Sequence, residues 1–245
     1  MDFTYDSYHE LLILLQHHGY EIVNYNNWNS RERCVILRHD IDTDIGKALE
    51  MARMEYEWGR MKSTYFVLLT SNFYNIFSES NCRKLHEIME CGHEIGLHFD
   101  EMNYPELNGN IDAMREKILE EAKILEKVTG KSVAAVSMHR PSRVILESDL
   151  KIPGIINSYG QLFFHEFKYL SDSRRRWREP VDEIIKSEQY ERLHILTHAF
   201  WYDKKKKNLH DTVKEFVNMG NADRYYTLMQ NITDLGSIMK TEEIH

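Results

Sequence analysis

Apolar positions along the chain fall into two alternating periodicities. Short strand-like runs stand at "CVILRHDI" (34–41), "STYFVLL" (63–69), "HEIGLHF" (93–99), "SVAAVSMH" (132–139) and "RLHILTHAF" (192–200). Between them apolar residues recur every three or four positions, as on one face of a helix. Ile45, Ala48, Leu49, Ala52 and Tyr56 mark one helix, and Ile111, Met114, Ile118, Ala122, Leu125 and Val128 mark the clearest, with Gly130 placed to stop it. A further helix covers Cys82–Cys91, closed by Gly92. Residues 141–192 are less regular: short strands are expected at "GIINSYG" and "FKYLSDS", then a helix over Val181–Gln189. The chain from His210 onward reads as helical. Strands separated by helices must pair in parallel, which predicts a wound α/β or barrel fold. With no repeat or Pro/Gly-rich linker, the pattern predicts one domain over 1–245.

Composition narrows the function classes. The 245 residues carry a net charge of −8, which argues against a nucleic-acid surface. The acidic N-terminus with its short "LLILL" run reads as an amphipathic helix of the mature protein, not a signal peptide. No run approaches the roughly 20 apolar residues of a membrane span. Three cysteines, Cys34, Cys82 and Cys91, form no CxxC pair. Together these predict a cytoplasmic protein with no integral membrane segment. Nothing in the sequence bears on oligomeric state.

Candidate chemistry gathers at strand ends, where such folds place their sites. "LRHDIDTD" (37–44) sets Asp40, Asp42 and Asp44 at the end of an apolar run. Residues i and i+2 of a strand share a face, so Asp40 and Asp42 point together, while Asp44 is placed to cap the following helix. His98, His139 and His198 end three other strand candidates. His93, five residues before His98, projects to the opposite face and reads as structural. Carboxylate plus imidazole suits a divalent ion such as zinc, which keeps a position open for water.

"RHDID", "GHEIGLH", "HRPS", "YLSDSRRRW" and "LTH", in that order, resemble the five motifs of the polysaccharide deacetylase superfamily (NodB homology, carbohydrate esterase family 4). The resemblance runs from about Cys34 to Trp201. It implies a distorted (β/α) barrel of about seven strands and metal-dependent removal of an N-acetyl group from an amino sugar. By position it implies Asp40 as catalytic base, Asp42 and His98 as metal ligands, and His198 as the acid that protonates the leaving amine. Arg140 or His139 falls at the family's arginine near the base; Asp172 matches an acid that tunes that arginine, and Trp177 an aromatic wall. Trp201 beside His198 is a second candidate sugar-stacking surface.

One position departs from the family pattern. The second motif's further histidine is Met102 here, and a thioether is a poor ligand in an oxygen- and nitrogen-rich site. His139 is the expected third ligand, with Asp100 and then Glu101 as alternatives. Plainer readings stand beside these. The arginines of 174–176 suit a solvated loop or the recognition of a phosphate or carboxylate. Lys204–Lys207 suits a solvated turn, and the tryptophans suit a core. His139–Arg140 suits a structural pair with Asp172. The expected function is deacetylation of a small molecule or glycan precursor carrying an acetamido group. The alternatives are hydrolysis of a non-sugar amide or cyclic imide, and a catalytically degenerate carbohydrate-binding module.

Overall fold

The computed structural model describes residues 1–107 and 109–244. It divides into two compact units, Met1–Tyr202 and Asp203–His245. The first contains all the strands. In chain order its elements are α1 (Tyr5–His17), β1 (Glu21–Val23), β2 (Cys34–Ile41), α2 (Ile45–Gly59), β3 (Thr64–Leu68), α3 (Glu79–Glu90), β4 (Glu94–Phe99), α4 (Ile111–Thr129), β5 (Ala135–Met138), α5 (Arg143–Ser148), β6 (Ile156–Asn157), α6 (Gln161–His165), β7 (Lys168–Ser171), α7 (Val181–Ser187) and β8 (Arg192–Thr197). The second unit holds α8 (Leu209–Met229), capped by Asn208, and α9 (Leu235–Ile238); the Tyr225 hydroxyl donates to the Met239 carbonyl.

Every pairing in the sheet is parallel, in the order β6-β5-β4-β3-β2-β8-β7, with the short β1 also paired to β2. All strands of the path therefore end at one rim. The sheet is curled into a distorted barrel. Arg38 of β2 reaches Ser137 of β5 (2.6 Å) and Ser158 just beyond β6 (2.9 Å), although β3 and β4 lie between them in the sheet.

Alternation along the strands separates two cores. Val35, Leu37 and Ile41 of β2, Tyr65 and Val67 of β3, and Leu97 and Phe99 of β4 face the helices. Cys34 and Ile36 of β2, Phe66 of β3 and Ala135 of β5 fill the concave side with Tyr25, Phe163 and Phe167. The helices carry the apolar stripes their sequences predict. In α4, Met114, Ile118, Ala122 and Leu125 are buried, the large side chains contributing roughly 1.5–3 kcal/mol each. Asn110 caps its start, and Gly130 takes the left-handed conformation at its end (φ 68°). Asp44 caps α2 as expected, accepting from the Gly46 and Lys47 amides.

One buried polar network lies on the helix side. Glu55 of α2, fully buried, accepts hydrogen bonds from the hydroxyls of Tyr8 (2.5 Å), Tyr65 (2.8 Å) and Ser63, and from His39 Nε2 (3.1 Å). The other His39 nitrogen meets the Thr197 hydroxyl at 2.6 Å. Burial pushes the Glu55 carboxyl up, but His39 beside it and its other donors hold it down at about 2. His93 also belongs to this layer. Its Nδ1 accepts from the Ser63 amide and its Nε2 donates to the Ala52 carbonyl, so its role is structural, as strand parity predicts.

Candidate active site

β2 supplies the centre of the site because its even-numbered residues face inward. Arg38 and Asp40 are both buried, and the guanidinium donates to Asp40 Oδ2 at 2.7 Å. Ser137, Ser158 and the faces of Phe66 and Tyr159 hold Arg38 from the other sides. Burial works against ionisation of Asp40, yet Arg38 first, then His98 and His198, keep its carboxyl below the usual range. Asp40 Oδ1 is buried with no hydrogen-bond partner among the described residues.

Just past the strand end, Asp42 meets two histidines from neighbouring strands. Its Oδ1 lies 3.2 Å from His98 Nε2 and 3.3 Å from His139 Nδ1, and those two nitrogens are 3.1 Å apart. The three atoms form a nearly equilateral triangle. Four-coordinate zinc with bonds of about 2.0–2.1 Å separates neighbouring donor atoms by about 3.3 Å, so this donor set fits such an ion. His98 Nδ1 donates to the Ser137 carbonyl at 3.3 Å, which leaves its Nε2 lone pair turned to the triangle. Burial opposes the charge on Asp42, but His139 and His98 beside it hold its carboxyl far below the ordinary range.

His198, immediately after β8, closes the group. Its Nε2 is 3.7 Å from Asp42 Oδ2, and its Nδ1 donates to Asp172 Oδ1 at 2.6 Å. Asp172 is fully buried and also accepts the His198 amide on both oxygens at 3.1 Å. Burial alone would depress the imidazole. Asp172, then Asp42 and Asp40, push it up to about 9 instead, which favours the imidazolium.

Two sequence expectations need correction. Arg140 does not stand beside Asp40, and Asp172 does not tune it. Ala135, Ser137 and His139 face inward, so Arg140 turns over the rim, where it pairs with Asp100. The guanidinium beside Asp40 comes from Arg38, and Asp172 serves His198 because β7 and β8 are neighbours. The i, i+2 rule that links Asp40 to Asp42 also reaches Arg38, which is the signal in the sequence for its place beside Asp40.

The alternative ligands stand outside the triangle. Asp100 also accepts from the Met102 amide and from Asn103, and Glu101 accepts from the Ser142 amide. Met102 is 60% exposed. Trp177 and Trp201 are half-buried against the helix-side core.

No family model matches the chain, and no curated protein does. Solved structures similar to it include a deacetylase from Streptococcus pyogenes in complex with acetate, at 14% identity over 58% of this chain and 66% of that one (TM-score 0.43). Another is a CE4 family pseudoenzyme from Bacillus anthracis, at 14% identity over 79% and 62% (0.43). A third is the catalytic domain of a peptidoglycan N-acetylglucosamine deacetylase from Eubacterium rectale, at 15% over 82% and 87% (0.48). The chain thus spans slightly less than two thirds of the first two proteins.

Proposed function

We propose that this protein is a metal-dependent hydrolase that removes the N-acetyl group from an amino sugar or glycan precursor. The observation that carries the reading is the triangle of Asp42, His98 and His139, set beside one carboxylate held ionised and one histidine held protonated. A divalent ion of the zinc type, held by those three residues, would polarise the acetyl carbonyl and acidify a water molecule.

The chain's own groups divide the proton transfers. Asp40, kept anionic by Arg38, offers the unpartnered Oδ1 as the base that takes a proton from the attacking water. His198 carries its proton on Nε2, facing the site, and donates it to the departing nitrogen, since an unprotonated amine leaves poorly. Asp172 fixes the imidazole's orientation from behind and favours its charged form, as an acid in a His–Asp pair does. Trp177 and Trp201 are proposed as apolar walls for the sugar.

The test is metal content, together with acetate release from an acetamido sugar. Wild type should hold about one ion per chain, and Asp42→Ala, His98→Ala and His139→Ala should each lose it while remaining folded by circular dichroism. A folded wild type that takes up no ion from added zinc, manganese or cobalt would overturn the hydrolase and favour a binding module. Bound metal with no acetate release from the sugar, but hydrolysis of a primary amide or a cyclic imide supplied in its place, would point to that other substrate.

A further inference from the structure

We infer that the loop after β7 is an anion-recognition element, and that the acetamido substrate carries a phosphate or diphosphate group. This rests on the deacetylase reading for the acetamide but on separate observations for the anion. Asp172 opens the loop, and its carboxylate is engaged with His198, so the loop starts at the catalytic rim. Arginines follow at 174, 175, 176 and 178, four in five positions of a chain whose net charge is −8. Of the eleven arginines elsewhere, nine (31, 33, 38, 53, 83, 115, 140, 143 and 192) are in ion pairs with carboxylates, while Arg60 lies over the Tyr56 ring and Arg224 donates to Asn221. Arg174, Arg176 and Arg178 are exposed and form no ion pair among the described residues.

The backbone adds an independent sign. Arg174 and Arg175 both take left-handed conformations (φ 60° and 56°) with no glycine at either place. Left-handed backbone at consecutive side-chain-bearing residues is costly and gathers where function requires a particular presentation. The Arg176 amide donates back to the Asp172 carbonyl at 3.1 Å, folding the loop onto its own start. That turn keeps the Arg174 and Arg176 backbone within one or two residue lengths of the acid that serves His198. A guanidinium side chain spans such a gap, and its planar fork matches phosphate oxygens in pairs.

The experiment is calorimetric titration of the zinc-loaded full chain with N-acetylglucosamine, N-acetylglucosamine 1-phosphate, UDP-N-acetylglucosamine and inorganic pyrophosphate. The expected result is at least tenfold tighter binding of the phosphorylated sugars than of the neutral one. That advantage should disappear in the Arg174→Ala/Arg176→Ala variant and shrink in 0.5 M salt. Arg174→Lys/Arg176→Lys should retain part of it, which separates charge from loop folding. Equal binding of neutral and phosphorylated sugars, or an unchanged preference in the alanine variant, would overturn the inference. Arginine-dependent binding of the phosphorylated sugars without acetate release would instead sink the deacetylase reading and leave the anion site standing.

Discussion

Replacing Asp172 by asparagine tests the acid half of the site with almost no change in shape. The amide still accepts the His198 backbone N–H, but the charge behind the imidazole is gone. Moving the His198 value from an ordinary 6.5 to about 9 corresponds to roughly 3 kcal/mol in favour of the imidazolium. Asp172 is the largest contributor to that rise, and burial opposes it, so the variant should fall to 6.5 or below. At pH 7.5 the protonated fraction then drops from nearly all to about a tenth, which predicts about a tenfold loss in kcat. The assay is the pH profile of acetate release, with wild type and variant carrying the same metal, because a cation on Asp42 lowers both values. The basic limb should move down by about two and a half pH values in Asp172→Asn. The stability arm follows the same sign. A raised imidazole stabilises the fold fully below its unfolded value near 6.5, and that contribution is lost as pH rises through about 9. A basic limb that stays in place, with activity lost uniformly at every pH, would refute His198 as the acid.

Two further outcomes concern the scaffold. Glu55→Gln should cost about 3 kcal/mol in urea unfolding at pH 7, because the carboxyl sits at about 2 in place of 4.5. Its contribution is present above the ordinary value and lost as pH falls through about 2, so the gap between the proteins should narrow by pH 3; a constant gap would contradict the ionised network. Gly96→Ala should destabilise by about 1–3 kcal/mol, since a Cβ there would lie 2.5 Å from the Phe66 ring and 3.0 Å from the Ala135 carbonyl. Adding Phe66→Leu should restore part of that loss, and no restoration in thermal melts would place the strain elsewhere.

Most of the framework could be read from periodicity alone. β2–β5, β8 and α2–α4 stand where alternation or helical spacing places them, and Asp44 caps α2 as its position predicts. The elements that escaped are short. β1 has three residues, and α5 and α6 have six and five, too few for either period to declare itself. At the site, parity grouped Asp40 with Asp42 and separated His93 from His98, because both are properties of a single strand. Contacts between strands were another matter. That β7 lies beside β8, and so gives Asp172 to His198, depends on sheet order, which local pattern does not encode.

The curl of the sheet leaves a seam. Its path runs from β6 to β7, and no pairing joins those two strands among the described residues, so the path has two open ends where a closed barrel has none. β6 is only two residues long, which limits its use as a template for a foreign strand. β2, bonded to β1, β3 and β8, lies well inside the sheet and carries Asp40 together with Arg38. The molecule therefore divides mechanically: breathing at the seam is cheap, whereas any motion of the backbone that carries Arg38 and Asp40 must first break the most extensively bonded strand. Amide exchange should accordingly start at β6 and β7 and reach β2 last. A barrel built this way can loosen at its flank while the strand that carries Arg38 and Asp40 stays in place.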